Sequence, residues 1–508
     1  MKNLYFFLIV FSNIFLFSTI QGQEKSVTNL FKDLDEYIEN AMNDWNVPGL
    51  AIGVVKDSNL VYAKGFGYRD LQNKLPVDEN TLFGTASCTK AFSAVSFGLL
   101  VDKKQADLDK PIIEYLPSLK FYDNYLTQNI TPRDVMCHRT GLSDNDYVNY
   151  GTGISREKLM SVLKYFEPEL GFRESCLYNN TIFDLSGFMV SQISGKPWVE
   201  FTKESLLTPL GMEKTTFTFK EMQESDNYCL PYYYKDDSLI RVPYRETGVT
   251  NSSGSIISNI KEMGNWLIMN LNNGKFEGKQ IISKSYLAQT HKVQIQVPYS
   301  SSELMTQYGY GLGWFVVSYR GNEMLYHDGG WDGFCSLVVM LPKNIGFVIL
   351  ANSTNVHILN VLFKTISDRL LEYESEDWHK NELEKFRKSQ EISSTIKPDT
   401  LKILGTSPSH QLADYIGEYD NTAYGTIEIG LTNSGLLAER KPFKFYLNHY
   451  HYDVFEIDII PQPFDLMDNE LNGRKVQFHT NLKGQIKKLS MRFPYSGKKP
   501  IEFIKTDD

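Results

Sequence analysis

Phe83-Gly84-Thr85-Ala86-Ser87-Cys88-Thr89-Lys90, continued by Ala91-Phe92-Ser93-Ala94-Val95-Ser96-Phe97-Gly98-Leu99-Leu100-Val101, is the stretch on which the reading of this chain turns. From Ala91 onward it is apolar nearly all round, the pattern of a helix buried on every face. Ser87 and Lys90 are one helical turn apart, so their side chains share a face. A serine hydroxyl is a weak nucleophile until a nearby base takes its proton, and a lysine with a lowered pKa is such a base. A serine in the first turn of a buried helix also stands at its positive end, beside unpaired backbone N–H groups that would stabilise a developing oxyanion.

Spacing alone does not single out this pair. A serine three residues before a lysine recurs at Ser155/Lys158, Ser161/Lys164, Ser258/Lys261, Ser394/Lys397 and Ser496/Lys499. The setting separates Ser87/Lys90 from these: small and apolar residues from Thr81 to Ala86 lead in, and the buried run follows.

Two further clusters carry chemistry. Tyr178-Asn179-Asn180 lies between Leu177 and the apolar Ile182-Phe183 and Leu185-Ser186-Gly187. A tyrosine acts as general acid or base when neighbouring cations hold its phenolate, and Asn180 could bond both a substrate amide and the lysine. Taken alone, Tyr178 is one loop tyrosine among 30 in the chain. His327-Asp328-Gly329-Gly330 closes a strand, and Trp331-Asp332-Gly333-Phe334 opens the next. The glycines would let a substrate lie along the strand edge with backbone N–H groups pointing at it; the same residues also read as a turn with an exposed histidine. Metal binding fits poorly: there is no HExxH, and His449-Tyr450-His451 reads as a strand pattern without further ligands. No GxGxxG or Walker motif is present, so no cofactor is called for.

An amphipathic helix (Val27, Leu30, Phe31, Leu34, Ile38, Ala41, Trp45) ends at Asn46-Val47-Pro48-Gly49. Strands at Leu50 to Val55 and Leu60 to Lys64 flank the turn Lys56-Asp57-Ser58-Asn59. Residues 90 to 275 are mostly helical, and sheet signals return at Tyr308 to Val317, Glu323 to His327, Phe334 to Leu341 and Ile345 to Leu350, before a helix near Val356 to Tyr373. The economical fold is α+β: one antiparallel sheet with strands from both ends of the unit, flanked by helices and carrying a helical insert. Residues 374–409, charged and then Ser/Thr/Pro-bearing, read as a linker, and the short alternating runs of 410–508 as a small all-β barrel.

At 508 residues with 42% apolar content and a net charge of −9, the chain suits two or more globular domains, and with no long basic run it is no nucleic-acid binder. Lys2, the apolar Leu4 to Phe17 and Thr19-Ile20-Gln21-Gly22 read as a signal peptide over 1–22, leaving a catalytic unit at 23–373. The expected location is secreted, or periplasmic in a bacterium, with no membrane span once the signal is removed. Five cysteines (Cys88, Cys137, Cys176, Cys229, Cys335) leave at least one without an intrachain partner; Cys88 and Cys176 read as buried fillers. Asn129, Asn179, Asn251 and Asn352 begin N-x-S/T sequons, which would carry glycans in a eukaryote.

In this order the motifs resemble the serine β-lactamase-like superfamily, on the side of class C β-lactamases, penicillin-binding-protein-like D-peptidases and related esterases. The resemblance spans roughly 27 to 370. It rests on Val47-Pro48-Gly49 with Gly65-Phe66-Gly67-Tyr68, on Phe83 to Lys90, on Ile130-Thr131-Pro132-Arg133-Asp134 leading to His138-Arg139-Thr140-Gly141-Leu142, on Tyr178-Asn179-Asn180, on Pro209-Leu210-Gly211-Met212 and on Tyr310-Gly311-Leu312-Gly313-Trp314. It implies that Ser87 is acylated, that Lys90 and Tyr178 share the proton shuttle, and that Asn180 orients substrate. Backbone N–H groups of Ser87 and the Gly329-Gly330 edge would form the oxyanion hole. His327 stands where many relatives have the lysine of K-T-G, and a partly charged histidine would hold a substrate carboxylate less firmly. That departure favours an esterase or D-peptidase over a true β-lactamase. Tyr415-Ile416-Gly417-Glu418-Tyr419, Leu447-Asn448-His449 and Phe455 are similar to a β-barrel domain appended to some such proteins.

Two functional classes follow. One is a secreted serine hydrolase cleaving an amide, ester or lactam of a small molecule or peptide through a Ser87 acyl-enzyme. The other is a non-enzymatic extracellular matrix or binding protein that reuses the scaffold. The intact Ser87, Lys90 and Tyr178 favour the first.

Overall fold

A computed structural model describes residues 31–149, 152–235, 238–245, 252–298, 301–302, 304–374, 376–394, 401–460, 470–494 and 497–506. The expected signal peptide at 1–22 and the sequon residue Asn251 lie outside them.

The strands of the catalytic unit come from both its ends, as their sequence positions suggested. β1 (Gly49–Lys56) and β2 (Asn59–Asp70) form a hairpin whose turn residues Asp57 and Ser58 take φ of 49° and 64°. These positive values suit the right-handed twist of a two-residue hairpin. β3 (Leu75–Pro76) edges β2. The later strands are β4 (Met305–Tyr310), β5 (Phe315–Tyr319), β6 (Asn322–Trp331), β7 (Phe334–Leu341) and β8 (Ile345–Ala351). The antiparallel sheet runs β4-β5-β6-β7-β8-β1-β2-β3.

Both faces of the sheet are covered, so its central strands carry no polar alternation. In β7 every residue is buried. Phe334, Val338 and Met340 join the cluster beneath the helical insert, whereas Cys335, Leu337, Val339 and Leu341 pack toward α1 (Leu34–Asp44). α2 (Thr89–Asp102) is buried from Thr89 to Leu100, and Phe92 stacks on Trp266 with ring centroids 3.7 Å apart. Each such fully buried large side chain contributes roughly 1.5–3 kcal/mol.

The stretch Tyr308 to Val317, read as one strand signal, is two strands joined by a tight turn at Gly313 (φ +79°). A Cβ at Gly313 would sit 2.7–2.8 Å from the Lys90 and Ala91 backbone, so only glycine lets this turn close on the start of α2.

The supposed linker at 374–409 is corrected in part. Trp378–Ser394 is a helix that returns onto α3 (Val356–Leu370): Trp378 is buried and donates Nε1–H to Asp368 Oδ2 at 2.8 Å, and Lys364 bridges Glu382 at 3.0 Å. The helix packs through a narrow edge of Trp378, Leu383 and Phe386. So little apolar surface leaves its composition looking like a tether.

Eight antiparallel strands between Gly417 and Lys505 form a closed barrel, sealed by Tyr419 against Lys505 and Asp420 against Ile504. Its strands alternate as a small barrel requires: in Phe443–His451, Phe443, Phe445 and Leu447 point in, and Lys444, Tyr446 and Asn448 do not. One continuous apolar cluster joins the barrel to the helical side of the sheet. Among the described residues, no helix is long and apolar enough to cross a membrane.

Candidate active site

Ser87 sits in a 3-10 turn, Ala86–Cys88, that runs directly into α2. Ala86 is buried with φ +45°, a conformation costly to a residue with a side chain and held only because the surroundings impose it. The turn is pressed against β6: a Cβ at Gly329 would lie 2.9 Å from Ser87 N and 2.5 Å from Thr85 O. Gly329 is therefore the floor on which the serine turn rests. At Gly330 a side chain would meet nothing, and the edge of β6 beyond Tyr326 is not paired with β5.

Lys90 has no exposed surface. Its Nζ donates to Ser87 Oγ at 3.1 Å, to Asn180 Oδ1 at 2.6 Å and to Ser253 O at 2.8 Å. Burial draws its pKa down to about 8, against the opposing pull of Asp184, Asp146 and Asp144. The Tyr178 phenol is hydrogen-bonded to Ser87, and its ring centroid lies 4.8 Å from Lys90 Nζ. The hydroxyl, the amine and the phenol thus converge from residues distant in sequence.

Three expected details change. Burial raises the Tyr178 pKa well above its ordinary value, so the resting residue is a neutral phenol rather than a phenolate. Asn180 has no amide proton left for substrate: its Nδ2 donates to Asp146 Oδ2 at 2.8 Å and to Asp144 Oδ2 at 3.2 Å. The expected bond to Lys90 is the part that stands. His327 is not a partly charged substrate clamp. It is buried, and burial followed by the Lys90 charge lowers its pKa to about 3. Its Nδ1 lies 2.6 Å from Asp328 O, which can only accept, so Nδ1 carries the proton and Nε2 accepts from Tyr310 Oη at 2.9 Å.

Other members were not singled out as site residues. Asp184 Oδ1 accepts from Ser253 N–H at 2.8 Å, fixing the carbonyl that Lys90 uses; burial lifts its pKa to about 7. His138 takes φ +60°, accepts from Asn179 N–H at 3.1 Å and packs its ring 4.3 Å from that of Tyr178. Burial holds it neutral too. The signal for His138 lay in His138-Arg139-Thr140-Gly141; Asp144, Asp146, Asp184 and Ser253 carried none.

All five cysteines are free and buried. Cys88 Sγ donates to His327 O at 3.3 Å, and burial pushes its pKa to about 12, so it is a filler and not a nucleophile. Among the described residues, no group of three His, Cys, Asp or Glu side chains is placed to hold a metal ion.

Fold and site together define a serine-hydrolase-like scaffold of the β-lactamase/transpeptidase type with an appended β-barrel. The chain belongs to the Beta-lactamase family, whose sequence model matches residues 34–358; a second model, a domain of unknown function, matches residues 401–505. The chain is similar to the unguisins hydrolase ungD′ of Aspergillus campestris, with 26% identity over 434 residues covering 81% of this chain and 79% of that one. In structure it is similar to an octameric penicillin-binding protein homologue from Pyrococcus abyssi (TM-score 0.61, 20% identity, 93% of this chain and 99% of that one). It is also similar to the D-amino acid amidase of Ochrobactrum anthropi SV3 (TM-score 0.55, 21% identity, 67% of this chain and 98% of that one).

Proposed function

We propose that the protein is a secreted serine hydrolase that cleaves an amide or ester, in preference to a β-lactam, through an acyl-enzyme on Ser87. The observation that carries the reading is the contact of Ser87 Oγ with both the Lys90 amine at 3.1 Å and the Tyr178 phenol. A lysine pKa of about 8 leaves a reactive share of free amine at neutral pH. The neutral amine takes the Ser87 proton as Oγ bonds to the substrate carbonyl carbon. The C–N or C–O bond then breaks as a proton passes through the Tyr178 hydroxyl to the leaving group. Water attacks the ester so formed and gives a proton to the Lys90–Tyr178 pair; the acyl C–Oγ bond then breaks, Ser87 Oγ takes that proton back, and the acid product leaves. Ser87 N–H and the Gly330 edge of β6 would receive the oxyanion.

A neutral His327 gives no cation for a substrate carboxylate, which disfavours penicillin-like substrates. The name of the unguisins hydrolase supports hydrolysis, and that of the D-amino acid amidase supports an amino-acid amide as the substrate class. Secretion is supported by the pattern of residues 1–22.

A fluorophosphonate probe tests the reading. Wild-type protein should be labelled at Ser87, and Ser87→Ala should lose both label and turnover of small amides and esters with its melting temperature kept. Folded wild-type protein that stays unlabelled from mildly acidic to strongly basic pH would overturn it and favour a non-enzymatic role for the scaffold.

A further inference from the structure

The barrel touches the catalytic unit at the segment that carries Asp144 and Asp146. Tyr424, on the turn between strands Gly417–Asn421 and Gly425–Thr432, donates its hydroxyl to Asn145 Oδ1. Arg440 is buried at the end of strand Gly435–Arg440. Its Nε donates to Tyr424 O at 2.9 Å and its Nη2 to Tyr147 O at 2.6 Å. The rings continue the contact: Tyr147 stacks on Phe493 (4.8 Å, 25°), and Phe493 stacks on Tyr424 (5.4 Å, 10°).

The segment is a loop with a single short 3-10 turn, Asp146–Val148. Asn179 anchors its start, donating Nδ2–H to Leu142 O at 3.0 Å and Ser143 O at 2.7 Å. Its far part holds two neighbouring carboxyl groups against one amide, Asn180 Nδ2, while Asn180 Oδ1 takes the Lys90 proton donor at 2.6 Å. The buried Asp144 resists such closeness: burial and the Asp146 charge push it well above the usual carboxylate range. A loop does not hold that arrangement by itself, and residues 145 and 147 are the ones the barrel grips.

We propose that the C-terminal barrel is a positioning element for the Ser87–Lys90 centre: Tyr424 and Arg440 clamp Asn145 and Tyr147, so that Asp144 and Asp146 hold the Asn180 amide against Lys90. The inference rests on the acyl-enzyme reading of Ser87.

The test is the rate and pH profile of Ser87 labelling by a fluorophosphonate in the full chain. Tyr424→Phe removes one hydroxyl and keeps the ring stack. It should slow labelling about tenfold, as a small misplacement of a catalytic group does. It should also move the pH midpoint upward, because water reaching Lys90 relieves the burial that lowers its pKa, with the melting temperature kept. Asn145→Ala breaks the same contact from the catalytic side and carries the test if Tyr424→Phe does not fold. The double variant should be no slower than either single one. Unchanged rate and midpoint in the folded variants, additive losses in the double variant, or a lowered melting temperature with an unmoved midpoint would each overturn the positioning role. An unlabelled wild type would instead remove the hydrolase reading, and with it the reaction the clamp serves; a labelled wild type with unchanged variants removes the clamp alone.

Discussion

Among the described residues, two lysine or arginine side chains, Lys90 and Arg440, are buried, and their surroundings differ in kind. Lys90 lies among three aspartates, an asparagine amide and a serine hydroxyl. Arg440 lies among backbone carbonyls and aromatic rings, bonding Tyr424 O and Tyr147 O beneath the ring of Phe493. Burial lowers both pKa values, to about 8 for the lysine and about 10 for the arginine. Only the lysine is thereby brought within reach of neutral pH. A guanidinium that keeps its proton serves as a rigid fork for two carbonyls, whereas an ammonium that can release its proton serves chemistry. The same physical cost, removal of a charge from water, is turned to a tunable base in one place and a fixed brace in the other.

The largest expected effect comes from exchanging those properties. Lys90→Arg keeps a positive charge beside Ser87 but cannot give up its proton, so labelling by a fluorophosphonate should fall about 10³-fold. A fall of less than an order of magnitude would mean that Lys90 contributes charge alone. On the other side, Arg440→Lys keeps the charge but cannot span both carbonyls, and should cost about 1–3 kcal/mol in urea unfolding. An unchanged midpoint would show that the fork geometry is immaterial.

The pH dependence sharpens the contrast further. Labelling should rise with pH through about 8, because the protonated lysine below that value cannot accept the Ser87 proton. Asp184 is the strongest of the charges that hold the Lys90 pKa up, so Asp184→Asn should move the midpoint downward. An upward shift would contradict the assigned electrostatics. No limb should come from His327, which burial keeps neutral. The smallest effect is expected at another serine-lysine pair: Ser155 accepts from Lys158 N–H at 3.2 Å as a helix cap, so Ser155→Ala should cost about 1 kcal/mol of stability and leave labelling unaltered.

That pair shows what the sequence could and could not reveal. Six serines stand three residues before a lysine, and only the burial implied by the run after Lys90 marked one of them. Tyr178 and Asn180 were legible as a motif. So was the bond of Asn180 to Lys90, but the partners of its Nδ2 were not, because Asp144 and Asp146 lie on a separate loop and no local pattern ties them to it. The charge of His327 depends on how deeply its strand is covered, which residue type alone does not record. In the fold, the sheet signals were strong where Val, Ile and Phe accumulate. The helix Trp378–Ser394 was read as part of a linker because its composition is polar.

The interior position of Asn179 has a practical bearing on how the protein is made. The residue is 1% exposed and its Nδ2 donates to two carbonyls inside the molecule, and Asn352 has no exposed surface. An oligosaccharide transferred to either residue while the nascent chain enters a eukaryotic secretory pathway would have no room in the finished fold. Production in yeast or insect cells should therefore yield misassembled material unless Thr181 and Thr354 are replaced, while a bacterial host that leaves asparagines bare should not meet this obstacle.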